Sequence, residues 1–278
     1  MTSRATDEAG ALVTVVVPSY NHREYIGATI ESVLAQSHPA VQLVVIDDGS
    51  TDGSAALLQQ MAEARGFDLI LQSNGGVCRA LNRAIRERAR GQCIALLGSD
   101  DVWDPRKLER QLARLAQVPD AELCFAQARY FTQTPSDAYG EPFPARPREG
   151  DLLRFVFWRQ HVPAGTLLFT RALYDALGGF DESLREEDWD FVIRAAARTK
   201  FAAVPAPLLW YRAHQTNTMR ARPRAAIFHQ KALILAKNFA LVPAGLWFGA
   251  LTLHFVHDIV FQRFLSLFHR YRPVRDHR

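Results

Sequence analysis

The sequence predicts an α/β fold: a mostly parallel sheet with helices on both faces, followed by a helical extension at the C-terminus. Three observations predict it. Short apolar runs alternate with helical patterns through the first 118 residues, the order that right-handed βαβ units impose. Two of the runs stop at paired aspartates, Asp47-Asp48 and Asp100-Asp101; ligands of open α/β sheets bind beyond the carboxyl ends of strands. Hydrophobic residues make up 48% of the 278 positions, enough for one large core.

The elements follow in order. Apolar runs place strands near 12–17, 41–46, 67–71 and 92–97, each short and bounded by turn residues. Helical periodicity fills the intervals near 23–36, 53–64 and 77–89. Pro18 stops the first strand, and Ser50, Thr51 or Asp52 can cap the second helix. A helix near 105–117 and a strand near 121–131 come next. Residues 132–150 carry Pro135, Gly140, Pro142, Pro144, Pro147 and Gly150 and read as a surface loop over the site. Beyond them the pattern is mixed: a helix over 151–160, a strand over 165–170, a short helix ending at Gly178-Gly179, a helix from about 187 to 198, and two short strands near 201–204 and 208–212. The organisation is therefore a flexible N-terminus (1–10), a domain over 11–223 with halves 11–118 and 119–223, and an extension over 224–278.

Composition narrows the function. Charged residues are 22% of the chain, too ordinary for wholesale disorder. The net charge of +4 makes no case for a nucleic-acid partner. Cys78, Cys93 and Cys124 are odd in number and match no zinc spacing; Cys93 and Cys124 lie in apolar runs and read as core residues, which fits a reducing compartment. The first ten residues lack the basic start and apolar stretch of a signal peptide.

The extension looks helical and interrupted at Pro243 and Gly245. From Leu251 onward His254, His257, Asp258, Gln262, Ser266 and His269 recur at helical spacing, and Phe255, Val256, Ile259, Val260, Phe264, Leu267 and Phe268 form a broad apolar face. The chain ends in Arg270, Arg272, Arg275 and Arg278. An interfacial helix on anionic lipid has this character, and so does a helix packed on the domain or on a second subunit. A spanning helix is disfavoured by Asn238, Pro243 and two histidines in the uncharged stretch 238–257.

The chemistry-bearing residues sit at strand ends. Adjacent carboxylates at 100 and 101 repel unless a cation or hydrogen bonds compensate, and a hard cation with oxygen ligands commonly accompanies phosphates. One of the two aspartates can be a helix cap. Asp47 and Asp48 are not needed as caps and read as free to meet a ligand. Tyr20 offers a flat face on which a base can stack.

Eight segments in order resemble the family 2 glycosyltransferases of the GT-A fold, a Rossmann-like architecture. They are Val15-Val16-Val17-Pro18-Ser19-Tyr20-Asn21, Ser32-Val33-Leu34-Ala35-Gln36-Ser37, Val45-Ile46-Asp47-Asp48-Gly49-Ser50-Thr51-Asp52, and Asn74-Gly75-Gly76 followed by Ala80-Leu81-Asn82. Then come Ser99-Asp100-Asp101-Val102-Trp103, Gly178-Gly179-Phe180-Asp181-Glu182, Glu187-Asp188-Trp189-Asp190, and Tyr211-Arg212 with His214. The resemblance covers about residues 11–218, and the tail lies outside it.

The resemblance implies transfer of a sugar from a nucleotide diphosphate sugar, of UDP or dTDP type, to a hydroxyl of a glycan or lipid-linked acceptor, with Mn²⁺ or Mg²⁺ on the pyrophosphate. The first half would bind nucleotide through Pro18, Ser19, Tyr20, Glu24, Asp48, Asn74, Gly76, Ser99 and Asp100, with Asp48 accepting from a base nitrogen. Asp100 would hold the metal, with Asp101 and His214 as further candidates and Arg212 as a candidate diphosphate clamp. Asp188 would be the catalytic base of an inverting displacement, and Glu187 and Trp189 would orient the acceptor or the base. Thr166 and the 132–163 segment would face the acceptor. The commonest family pattern is Asp-Ser-Asp-Asp; Gly98 stands in place of its first aspartate, which puts two-carboxylate metal binding in question. The family's surface-glycan work suggests O-antigen, capsule or cell-wall synthesis in the cytoplasm, peripheral at the inner face of a membrane. Two other readings are a degenerate member acting as a non-catalytic assembly partner and a sugar nucleotidyltransferase; against the latter, residues 18–23 offer no Gly-rich basic loop.

Overall fold

The computed structural model describes residues 10–185, 188–214 and 223–261. Most of the expected flexible N-terminus, Glu187, and the C-terminal arginines lie outside the described residues. The chain divides into two compact units, Met1–Val156 with Gln160–His214, and Phe157–Arg159 with Gln215–Arg278.

In the first unit the strands are Val13–Ser19 (β1), Val41–Asp47 (β2), Asp68–Leu71 (β3), Cys93–Leu96 (β4), Val102–Trp103 (β5), Ala121–Phe131 (β6), Tyr139–Phe143 (β7), Leu168–Thr170 (β8) and Lys200–Arg212 (β9). The helices are Ile26–Leu34 (α1), Ser54–Arg65 (α2), Val77–Arg88 (α3), Lys107–Gln117 (α4), Leu153–Trp158 (α5, whose last two residues fall in the second unit), Arg171–Leu177 (α6) and Asp188–Ala196 (α7). One sheet runs β3-β2-β1-β4-β8-β6-β9-β5, with β7 added on β6. The β1–β4 portion is wholly parallel. The second half is mixed: β8 is antiparallel to β4 and β6, and β9 is parallel to β6.

The alternation of apolar residues explains why both sheet faces are covered. Val13, Val15 and Val17 join α1, α2 and α4 through Ile26, Ile30, Val33, Leu58, Leu108, Leu112 and Leu115. Val16, Val44 and Ile46 are equally buried but outside that cluster, on the face where α3 contacts β1 and β2. Parallel strands need this double cover because both faces are removed from water. Cys78, Cys93 and Cys124 are not in disulfides and all are buried.

Three elements differ from expectation. The 132–150 loop contains β7, paired only with β6; Pro142 is tolerated there because a sheet edge does not need its missing N–H. The two strands expected near 201–204 and 208–212 are one strand, β9, whose pairing with β6 slips between Val204 and Leu209, where Pro205 and Pro207 interrupt the ladder. The short strand β5 pairs antiparallel with β9 and was not expected, since two residues carry no periodicity.

In the second unit Arg224–Lys237 (α8) is followed by Ala244–Phe255 (α9), and a π-helical turn continues over Val256–Phe261. The expected interruption falls over 238–243, and Pro243 precedes the first residue of α9, where its missing N–H costs nothing; Gly245 lies inside α9 and does not interrupt it. Among the described residues no helix is long and apolar enough to cross a membrane.

One buried group makes the fold pH-sensitive. Lys107 on α4 is fully buried, its Nζ 3.8 Å from the centre of the Trp103 ring and without a hydrogen-bond partner. Burial lowers its pKa from 10.5 to about 7. The unfolded chain takes up this proton first as pH falls, so the folded state loses stability progressively from pH 10.5 down to about 7 and regains it on alkalinisation. Lys107→Met therefore raises the melting temperature near neutral pH by several degrees, on the order of 1–2 kcal/mol, and the gain shrinks toward pH 10; scanning calorimetry at both pH values checks this.

Candidate active site

The site forms where β1, β2, β4 and β9 end, and its first support is α1. Thr29, fully buried on α1, donates its hydroxyl hydrogen between the carbonyls of Ser99 (3.0 Å) and Asp101 (2.8 Å). Gln36 donates to the Asp104 carbonyl and accepts from the Leu108 N–H, and the Trp103 N–H donates to the Ser32 hydroxyl. The 29–37 segment thus clamps both ends of the turn that carries Asp100 and Asp101.

The second support comes from β9. The Arg212 N–H donates to Asp101 Oδ1 at 2.8 Å. The guanidinium donates from Nε to the Asp100 carbonyl (2.8 Å) and from Nη1 to the carbonyls of Thr132 and Gln133. It lies over the rings of Tyr25 and Phe131. Arg212 was expected as a diphosphate clamp; its buried fork is instead turned onto backbone carbonyls. Asp101 is 5% exposed. Burial, then the Asp100 charge, pushes its pKa well above the ordinary carboxylate range. Asp101 was also a candidate metal ligand, but this carboxyl is a structural acceptor for β9.

Asp100 is the carboxylate left at the surface of the turn. Its Oδ2 lies 2.9 Å from Nε2 of His214, and His214 packs against Tyr25 (4.8 Å) and His22 (5.7 Å). His22, which sequence reasoning missed, hydrogen-bonds through Nδ1 to the Ser99 hydroxyl at 2.7 Å. Burial lowers the His22 pKa against the opposing pull of Asp100, so the imidazole is held neutral, the form that binds metal. His22, Asp100 and His214 offer ligand atoms all within 4.8 Å of one another, forming the metal-type cluster found among the described residues. The signal for His22 was its place four residues after Pro18 at a strand end, but a lone histidine has no pattern. A Cβ on Gly98 would lie 3.0 Å from Asp100 Oδ1 and 3.4 Å from Asp101 Oδ2, so a side chain there would project onto the two carboxylates.

The β1 and β2 ends form the neighbouring wall. Tyr20 is 48% exposed, and Glu24 is exposed in the following turn. Pro18 is partly buried; Ser19 is buried, with its Oγ unpartnered. Asn21 takes a left-handed φ of 54° and is tied to Ser50 and Thr51. Asp47 and Asp48 are not free, contrary to expectation. Asp47 accepts the N–H and hydroxyl hydrogen of Ser50 and so closes its own turn. Asp48 accepts from Gln72 Nε2 and the Gly75 N–H on Oδ1, and from the Gly76 N–H on Oδ2. It holds the Asn74-Gly75-Gly76 loop, with Asn74 exposed, and Oδ2 keeps a lone pair. Gly49 permits the approach: a Cβ there would lie 2.7 Å from the Asn74 nitrogen.

Asp188 is the first residue of α7. Its Oδ2 accepts from Gln160 Nε2 at 3.0 Å and its Oδ1 from the Trp189 N–H at 2.8 Å. Burial raises its pKa. Trp189 orients this carboxylate through its backbone; its indole is buried and donates to the Val156 carbonyl, so it does not present a face to an acceptor. The loop entering α7 is set by Asn82 on α3, which accepts from the Phe180 N–H and the Tyr174 hydroxyl and donates to the Phe180 carbonyl and Glu182. Burial, then the charges of Asp101 and Asp100, drives the Tyr211 pKa up. Thr166, expected to face an acceptor, is fully buried and donates to the Pro163 carbonyl.

A family model, Glycosyl transferase family 2, matches residues 14–177, more than half of the chain. The chain belongs to glycosyl transferase family 2. Among curated proteins, this family 2 chain is 48% identical over 103 residues to the putative teichuronic acid biosynthesis glycosyltransferase TuaG of Bacillus subtilis, a match covering 36% of this chain and 40% of that protein. It is 25% identical over 239 residues to the putative glycosyltransferase EpsH of the same organism, covering 83% and 69%. The chain therefore spans less than two thirds of TuaG. Among solved structures, S. aureus TarS residues 1–349 in complex with UDP-GlcNAc aligns with a TM-score of 0.71 at 17% identity, over 94% of this chain and 76% of that one. Mannosyltransferase PcManGT from Pyrobaculum calidifontis, in complex with GDP-Man and Mn²⁺, aligns with a TM-score of 0.63 at 21% identity, over 89% and 70%. At these identities the likeness shows the fold, which is GT-A with a C-terminal helical part.

Removing the buried fork tests the second support. Arg212→Met strands the Asp100, Thr132 and Gln133 carbonyls and lowers stability by about 1–3 kcal/mol, read from the urea midpoint at unchanged m-value.

Proposed function

We propose that this chain is a metal-dependent, inverting glycosyltransferase that moves a sugar from a UDP- or dTDP-type donor to a hydroxyl of a glycan or lipid-linked acceptor. The observation that carries it is a metal-type cluster, His22–Asp100–His214, at the strand ends of the sheet, together with a carboxylate, Asp188, held on both oxygens by Gln160 and the Trp189 N–H. TuaG is named for teichuronic acid biosynthesis, and TarS and PcManGT hold UDP-GlcNAc and GDP-Man in their complexes. These support surface-polysaccharide synthesis from a nucleotide sugar, on the cytoplasmic side where such donors are made.

The donor would lie across the β1 and β2 ends. Tyr20 would stack on the base and Asp48 Oδ2 would accept from it, with Gly76 allowing close backbone approach. One carboxylate and two imidazoles fit Mn²⁺ better than Mg²⁺, which prefers oxygen ligands throughout. The ion would sit on His22, Asp100 and His214, with the Ser99 hydroxyl orienting His22 from behind as such partners do. When bound, it neutralises charge on the departing diphosphate. His22 in this reading supplies the ligand that Gly98 does not.

Asp188 acts on the acceptor. The hydroxyl oxygen forms a bond to the anomeric carbon, the bond from that carbon to the diphosphate oxygen breaks, and the hydroxyl proton goes to Asp188. Gln160 and the Trp189 N–H each hold one carboxylate oxygen in place, and the start of α7 favours the charged form against its burial. Arg212 and Asp101 are positioning residues that hold Asp100.

Three experiments test this. UDP with Mn²⁺ should raise the melting temperature, UDP alone less so, and His22→Ala should weaken Mn²⁺ binding about tenfold or more; no shift with any nucleoside diphosphate favours the non-catalytic assembly reading. Asp188→Asn should lower kcat about a hundredfold to ten-thousandfold while leaving the UDP shift intact. Because the base must be ionised and its pKa is raised, wild-type kcat should fall on the acid side at a pH above the ordinary carboxylate range, measured by a pH–rate profile.

A further inference from the structure

We infer that the C-terminal unit is a docking surface for an anionic lipid bilayer. Its helices bury Ile227, Ile234, Leu235 and Ala250 and also leave large apolar residues exposed. Asp258 is 1% exposed and paired with Lys231 at 2.8 Å across α8 and the π-helical turn, and His254 is also buried. Phe248, Phe255, Val256 and Val260 are 61, 44, 47 and 48% exposed. Helices that meet water put charge outside and apolar groups inside. Here an ion pair lies inside beside the apolar core while Phe248, Phe255, Val256 and Val260 stand outside, an apolar patch suited to a hydrocarbon boundary.

Charge selects the occupant. Residues 215–278 carry ten Lys or Arg against two acidic residues, a charge of +8; the whole chain is +4, which leaves the first 214 residues at −4. Of the two acidic residues, Asp258 is already paired inside the unit. Two copies apposed through this face would bring +8 against +8. An apolar face within a strongly cationic segment complements anionic headgroups, each Lys or Arg near the surface adding attraction that salt screens.

The test is co-sedimentation of the full chain with vesicles of phosphatidylcholine alone or mixed with an equal part of phosphatidylglycerol. Binding is expected only to the phosphatidylglycerol vesicles, falling as salt rises. Phe248→Ser with Val260→Ser should weaken it about tenfold or more, and so should replacing Arg270, Arg272, Arg275 and Arg278 by Gln, both with unchanged melting temperature. The arginine variant keeps the test valid if the apolar one fails to fold. Absence of binding to anionic vesicles overturns the inference. So does a dimer in analytical ultracentrifugation that the Phe248/Val260 changes dissociate, which would assign the face to a second copy.

Discussion

The structure depends on how a buried carboxylate is compensated. Asp101 sits in the interior beside Asp100, where two negative groups cannot both be accommodated without donors. The Arg212 N–H on Asp101 and the Arg212 side chain on the Asp100 carbonyl answer that demand from the last strand of the sheet. The same contacts fix β9 against the turn after β4 and bring His214, two residues further on, onto Asp100. The packing requirement of one aspartate thereby brings an imidazole onto its neighbour.

Other recognisable segments serve the same end indirectly. Thr29 and Gln36 have no reach toward a substrate; they hold the carbonyls and N–H groups of the turn that presents Asp100. Asn82 fastens the Gly-Gly-Phe-Asp-Glu loop that leads into α7, and a Cβ on Gly179 would lie 2.6 Å from its Oδ1. Asp48 organises the glycine loop beside it. Buried polar groups of this kind must be satisfied, and here the partners are backbone groups of chemistry-bearing loops. Rigidity of these loops is thus distributed over side chains that hold their backbone groups.

The C-terminal unit obeys a different rule. Its interior holds the Lys231–Asp258 pair beside Ile227, Ile234, Leu235 and Ala250, while Phe255, Val256 and Val260 of the apolar stripe are exposed. Amphipathicity identified a helix with two faces; it did not say which face the unit would keep for itself. Lys231 takes Asp258 inside, its Nζ 2.8 Å from Oδ2.

The sequence by itself determined the alternation of strands and helices in the first half, the strand ends that carry Tyr20, Asp48 and Asp100, and the placement of Asp188 at a helix start. These follow from local periods of two and 3.6 and from cap and turn chemistry, which are written within a few residues. Only the tertiary structure decided which carboxylates are consumed by the fold. Asp47 closes a turn, Asp101 and Arg212 brace two distant strands, Thr166 is core, and His22 joins Asp100 and His214. It also decided that 200–212 is one strand and that 139–143 adds to β6. Those outcomes rest on hydrogen bonds between residues as much as 114 positions apart, and no local pattern specifies a partner at that distance.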